Sequence, residues 1–417
     1  MKKLIYVSML VVLMTTSITA QQFDVTAEIR PRYENKHGFK SLLQTNADGT
    51  NFVSQRTRLN LKFNYEKLKL GISYQNVRVW GDVGTLSADD NAFNLHEAWA
   101  QTQISDKFSL KIGRQEIVYD DSRIFGNVGW SQQGRSHDAM IAIFDLNEKS
   151  RLDVGIALNA DNQSGVDVLY SNVAGYKAFQ YMWYHTELDN FNLSLLALNN
   201  GVEFINAAIE NEVNYSQTIG GRFITNLAGF NIDGAIYLQT GDIKGNSISA
   251  SYFGGNIKYK TSEKITIGLG FEYLSGKDMN DTSTSIKSFS PLYGTNHKFN
   301  GWMDYFYVGN HGNSVGLVDI NAVFSYKKDK FSATVVPHVF SAAADIYNGT
   351  TKMDSSLGTE IDVKLGYKMS SDIMLNAGYS KMFATTSMEV LKGGDKNENN
   401  SWAWVMFTIK PTLFTSK

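Results

Sequence analysis

Charged residues near the start of the chain fall at every second position, the spacing that puts side chains on one face of a strand. Arg30 and Arg32 share a face with Glu28 and Glu34, and Arg56, Arg58 and Lys62 share another. Arginines gathered along a narrow aqueous passage attract and guide anions, because charged walls in low-dielectric surroundings focus the field. Any single charge of this kind has a blander role open to it, pairing across neighbouring strands and filling space. Arg30, Arg32, Arg56 and Arg58 together exceed what Glu28 and Glu34 can neutralise, so the group reads as anion-guiding. Lys111, Arg222, Lys258, Lys260 and Lys364 fall on the polar sides of later segments, as do Glu97, Asp233, Glu272, Asp319, Glu360 and Asp362.

Covalent and metal chemistry find less support. The chain has no cysteine, which removes thiol nucleophiles, disulfides and cysteine-held metals. His37, His96, His137, His185, His297, His311 and His338 are scattered, and His96-Glu97 runs into Ala98-Trp99-Ala100 without the second histidine of a zinc helix. His338, or His137 beside Asp138, could do acid–base work, though ordinary hydrogen bonding accounts for each. GWSQQG at 129–134 lacks the G-x-S-x-G order, and no glycine-rich phosphate loop occurs. No enzyme and no cofactor are therefore expected, a barrel lipase or protease being the remotest alternative. Asp89-Asp90 and Asp120-Asp121 could hold calcium at the surface, though solvated loop charge is the better account of both pairs. A formal net charge of −2 gives no footing for nucleic acid.

The elements that carry these residues read as strands. Apolar Leu59, Leu61, Phe63 and Tyr65 alternate with Arg58, Asn60, Lys62 and Asn64, and Ile265, Ile267, Leu269, Phe271 and Tyr273 repeat the pattern. Proline is rare (4), glycine plentiful (35), and 24 Phe, 21 Tyr and 7 Trp favour strands and tight turns over helices. About eighteen strands are predicted, near 23–34, 52–65, 68–80, 93–104, 108–118, 137–145, 151–160, 176–187, 190–199, 212–226, 229–241, 247–260, 264–275, 313–326, 330–341, 357–368, 372–383 and 400–410. Their joints are read as alternating strictly between tight turns, such as Ser105-Asp106-Lys107, and long links, such as 36–51, 81–92, 119–136, 161–175, 276–312 and 384–399.

That rhythm predicts a transmembrane, antiparallel up-and-down β-barrel with short periplasmic turns and long extracellular loops, its apolar rows meeting lipid and its polar rows lining the lumen. Closure follows because lipid cannot satisfy a free sheet edge. A soluble sandwich would need polar outer faces instead. Lys2, Lys3, the apolar run Leu4–Met14 and the small residues to Ala20 read as an export signal over 1–20. One barrel domain over 21–417, placed in the outer membrane of a Gram-negative bacterium, is the expected organisation.

The segment 113–138 departs from alternation and reads as an inward-folding loop. Its elements G-R-Q from Gly113, D-x-R-x-x-G from Asp121 to Gly126 and W-x-Q-x-x-R-x-x-D from Trp130 to Asp138 resemble the alginate-export porin family. QRTRLNL at Gln55–Leu61 and QNVRVWGD at Gln75–Asp82 are similar to that family's opening strands. The resemblance implies an eighteen-stranded monomer with an arginine-rich lumen that passes an anionic polysaccharide, and it leaves room for periplasmic export partners. Carried onto matching positions, it implies lumen roles for Arg30, Arg56, Arg58, Arg78, Arg114, Arg123 and Arg135, with Glu97, Asp121 and Asp138 as acidic counterparts. A general or substrate-specific small-solute porin is the alternative.

Overall fold

The computed structural model describes residues 21–87, 93–166, 168–170, 175–307 and 314–416. The export signal expected over 1–20, the Asp89-Asp90 pair and His311 lie outside the described residues.

Strands run in the order β1 (Gln22–His37), β2 (Thr50–Tyr65), β3 (Leu68–Val79), β4 (Phe93–Ser105), β5 (Phe108–Gln115), β6 (His137–Asn147), β7 (Ser150–Leu158), β8 (Ala178–Leu188) and β9 (Phe191–Ile205). They continue as β10 (Asn211–Leu227), β11 (Phe230–Ile243), β12 (Asn246–Lys260), β13 (Ile265–Leu274), β14 (Leu317–Lys328) and β15 (Phe331–Ser341). After a small hairpin, β16 (Tyr347–Asn348) and β17 (Thr351–Lys352), come β18 (Ser356–Lys368), β19 (Ile373–Ala384), helix α1 (Thr386–Lys392), β20 (Ser401–Ile409) and β21 (Thr412–Thr415).

Each strand pairs antiparallel with its neighbour, and β1 pairs both with β2 and with β20 and β21, which closes the sheet into an eighteen-strand barrel. β21 continues the last staves of β20 beyond Pro411, whose carbonyl accepts from Ala27 N at 3.1 Å. Closure leaves no unpaired edge, as a lipid-spanning sheet requires.

Period-two alternation sorts the two faces. Ile29, Leu59, Ile112, Ile236, Leu269 and Ile320 stay exposed on the outer face, while Arg30, Arg56, Asp233, Asp319 and Asp362 on the other parity are buried. Aromatic pairs band the outer face near the tight turns, with Phe108 stacked on Phe144, Phe191 on Phe223 and Phe230 packed on Tyr259. Amphipathic rings favour that boundary.

One feature of the joints departs from strict alternation. β11 and β12 meet at the long-loop end through Lys244-Gly245 alone, both with positive φ (49° and 75°). That is the two-residue hairpin geometry that matches strand twist, so an outer joint there needs no loop.

The apolar core lies inside the barrel. Phe125, Phe179, Phe289, Met303, Tyr305 and Trp402 are almost wholly buried, and several come from the two longest joints, 116–136 and 275–316. The first joint, and the second over 275–307, fold inward and pack across the lumen.

Candidate functional site: a partition across the lumen

An inward loop carries backbone carbonyls and amides away from water, and each needs a partner. For 116–136 the partners are the arginines of β1 and β2. Arg30 donates from Nη1 to Gly129 O at 2.7 Å, from Nη2 to Ser131 O at 2.9 Å and Trp130 O at 3.2 Å, and from Nε to Gln132 Oε1 at 3.1 Å. Arg32 reaches Trp130 O at 2.7 Å, and its guanidinium lies 4.2 Å from the Trp130 ring centroid. Arg58 donates to Gln75 Oε1 at 2.6 Å and Gln133 O at 3.3 Å. A planar fork with five donors suits this task, since one side chain satisfies several carbonyls. Gly134, at φ 71°, lets the loop approach closely, as a Cβ there would stand 2.7 Å from Arg58 Nη2.

Carboxylates hold only part of this group. Arg56 pairs with Glu28 at 2.6 Å and Arg32 with Glu34 at 2.9 Å, whereas Glu28 lies 3.9 Å from Arg30 and Glu116 lies 3.7 Å from Arg58.

The 275–307 segment is held the opposite way, by its amides. Met303 N donates to Glu360 Oε1 at 2.8 Å and Trp302 N to Asp362 Oδ2 at 3.2 Å, while Asn300 Nδ2 reaches Glu272 Oε2 at 2.5 Å and Asp319 Oδ2 at 3.2 Å. Gly301, at φ 80°, permits the approach, because a Cβ would sit 2.7 Å from the Glu360 carboxylate. His338 bridges this wall, 2.9 Å from Asp319 and 3.7 Å from Asp362.

Between the walls the two loops join. Gly126 N donates to Tyr293 O and Thr295 N to Ser122 O, both at 2.9 Å, and Val128 N donates to Thr295 Oγ1 at 2.9 Å. Trp130 stacks on His297 at 4.6 Å and meets Trp404 of β20 at 4.8 Å. Phe125 packs on Phe179 and Tyr181 of β8, and Tyr119 donates to Asp153 of β7 at 2.7 Å. Asp120, Ser122, Val128, Leu292, Asn300 and Asp304 all take positive φ in these loops. Such conformations persist where surrounding bonds over-determine them. Burial raises the Asp120 carboxyl above the usual range and lowers the Arg135 guanidinium.

The sequence-predicted residues divide accordingly. Arg30, Arg32, Arg56, Arg58 and Glu97 line the interior, Glu97 accepting from Glu116 N at 3.1 Å. Asp121 and Arg123 lie within the partition: Asp121 is 3.3 Å from Arg222, and fully buried Arg123 pairs with Glu272 and lies over Phe299. Arg135 donates to Gly294 O at 3.1 Å, stitching one loop to the other.

Arg78, Arg114 and Asp138 correct the expectation of a lumen role. β5 extends to Gln115 and β6 begins at His137, so Arg114 and Asp138 obey strand parity and share the outward face of Ile112 and Met140. They pair at 2.7 Å with side chains 42% and 61% exposed. Arg78 shares the outward face of Tyr74 and donates to Asn76 at 3.2 Å. His137 turns inward to Tyr176 while Asp138 turns outward, so they form no acid–base pair. Asp120 accepts from Trp183 Nε1 and Asp121 pairs with Arg222, so the two carboxylates diverge.

The sequence reading placed 276–312 among the long links and Glu272, Asp319, Glu360 and Asp362 on the polar face, and it missed that the loop folds inward onto that acidic wall. The signal was present in composition: Phe289, Tyr293, Phe299, Trp302, Met303, Tyr305 and Phe306 are too apolar for a solvated loop.

Comparison with known proteins agrees with this architecture. OccAB1 of Acinetobacter baumannii superposes with a TM-score of 0.66 at 12% identity, covering 94% of this chain and 97% of the other. A BenF-like porin from Pseudomonas fluorescens Pf-5 gives 0.62 at 13%, covering 94% and 99%. Pseudomonas aeruginosa OccK2 (OpdF) in complex with glucuronate gives 0.61 at 11%, covering 94% and 98%. No curated protein matches the sequence. The barrel is that of a porin channel of the Gram-negative outer membrane. The alginate export family model matches residues 21–387, nearly the whole barrel, and the chain belongs to that family.

Proposed function

We propose that this porin conducts anions passively, acidic polysaccharide or smaller acidic solutes, past the arginine group of β1 and β2. The supporting observation is that Arg30 spends its hydrogen bonds on neutral acceptors, the carbonyls of Gly129, Trp130 and Ser131 and the Gln132 amide. Those bonds fix the guanidinium without cancelling its charge, so the positive field remains at the partition. Planar-bilayer reversal potentials in a salt gradient test this. Anion preference is expected, with a shift toward cations in Arg56→Ala plus Arg58→Ala. Cation preference in the unmodified protein would sink the reading.

A narrower variant, passage of small acids rather than polymer, draws support from the partition itself, which spans from Arg30 of β1 to Glu360 of β18. The glucuronate complex of OccK2 is compatible with a single acidic sugar as cargo. Liposome swelling with glucuronate against an acidic polysaccharide separates the two. A single barrel suffices for either, and cross-linking in native membranes checks the expected monomer and any periplasmic partner.

A further inference from the structure

Beneath the partition, toward the tight turns, lies a cavity of about 540 Å³ whose lining includes Lys69, Gln101, Gln103, Lys111, Ser109 and Asp145. Its charges are sorted in space. Lys69 pairs in register with Gln101 and Gln101 with Lys111, which sets the two ammonium groups on one cross-strand row of β3 to β5. Asp145 sits on β6, four residues along from Ile141, the register partner of Lys111. At 3.2–3.4 Å per residue that offset is roughly 13 Å along the backbone. Neutral Gln103 and Ser109 occupy the interval, and Gln101 stands between the two lysines in their own row.

Glu66 and Lys67 of the lining lie at the β2–β3 turn, and Asp153 and Glu116 are already committed. Asp153 takes both Arg151, at 2.6 Å, and the Tyr119 hydroxyl. Glu116 takes His96 at 2.8 Å and Asn127 at 2.7 Å. Among the described residues, Lys69 and Asp145 form no ion pair, since Arg151, opposite Asp145 in register, gives its guanidinium to Asp153, and Lys111 lies over the Trp99 ring at 4.1 Å. Gln115, fully buried in the same lining, has an Oε1 with no donor.

We propose that this cavity binds short zwitterionic peptides, with the terminal carboxylate on Lys69 and Lys111, the ammonium on Asp145, and the intervening amides on Gln103 and Ser109. An extended tripeptide spans roughly 10 Å, and the flexible lysine stems close the remaining gap. A simple anion site would not need Asp145, and a simple cation site would not need the lysine row. The proposal rests on the porin reading only for how a peptide reaches the cavity.

The test uses full-length protein in planar bilayers with triglycine, N-acetyl-triglycine and triglycinamide as probes. Triglycine should cause resolved current blockades, and each singly charged analogue should dwell about tenfold less, the loss expected for one charge-assisted contact. Lys111→Gln, Lys69→Gln and Asp145→Asn should each shorten triglycine dwell by a similar factor. Equal blockade by all three peptides, or unchanged dwell in the variants, overturns the site, and stronger blockade by N-acetyl-triglycine makes it a plain anion site. Absence of any KCl current strikes the porin reading instead; calorimetric titration of the detergent-solubilised protein with triglycine then still decides the site.

Discussion

Two walls of the barrel grip two loops by opposite ends of the peptide dipole. On β1 and β2, guanidinium groups take up the carbonyls of Gly129, Trp130, Ser131 and Gln133. On β13 to β18, carboxylates take up the amides of Trp302 and Met303 and the side chain of Asn300. The chemistry differs in multiplicity as well as sign. Arg30 alone serves four acceptors, whereas Glu360 and Asp362 each receive one backbone N–H from their loop. The arginine grip is therefore the more dependent on one residue, and the acidic grip the more distributed.

The largest effect is expected at the point where the two grips meet. Trp130 touches Arg32, His297 and Trp404 together, and Trp130→Ala removes a packed aromatic at a cost of about 3–5 kcal/mol. Both loops should loosen together, read as protease cleavage within 116–136 and within 275–307 in intact outer membranes. Cleavage rising in one loop only would mean that the loops are independent.

Next in size is Arg30→Lys. Charge is kept, but a point donor replaces the fork, and the buried carbonyls left without partners cost roughly 1–3 kcal/mol in all. Protease cleavage in 116–136 should rise, single-channel conductance should increase, and anion preference should stay near that of the unmodified protein. A large loss of preference without loosening would show that Arg30 acts on ions and not on the loop.

Much of this arrangement was legible in the chain. Alternation alone assigned the inward parity of Arg30, Arg56, Asp319 and Asp362, because a barrel wall has only two faces. The same parity, carried along β3 from Tyr74 and through Gln115 and His137, would have turned Arg78, Arg114 and Asp138 outward; the motif that named them has no face. The grip itself was hidden for a different reason. Every residue offers a carbonyl, so which carbonyl meets Arg30 depends on the fold of 116–136, and the stacking of Trp130 on His297 joins residues far apart in sequence. Aromatic content could have marked 275–307 as buried, but not its partner wall.

On the acidic side, Glu360→Gln keeps an acceptor for Met303 N while removing charge. A neutral hydrogen bond is about half as strong as a charge-assisted one, so a loss of about 1 kcal/mol is expected and cleavage within 275–307 should rise only a few-fold. An effect as large as that of Arg30→Lys would contradict the distributed grip.

The smallest effect is expected outside the lumen, and it tests the comparison from beyond both walls. Arg114 and Asp138 pair on the outward face with much of each side chain exposed, and exposed pairs contribute about 0–1 kcal/mol. Arg114→Ala should therefore leave reversal potential, conductance and loop cleavage unaltered within error. Its cationic charge is the same as that of Arg58, so the pair of variants separates position from charge: Arg58→Ala should lower anion preference and Arg114→Ala should not. If Arg114→Ala shifts selectivity as much as Arg58→Ala, strand parity has been misread at β5 and the field at the mouth is set from the rim rather than from the arginine wall.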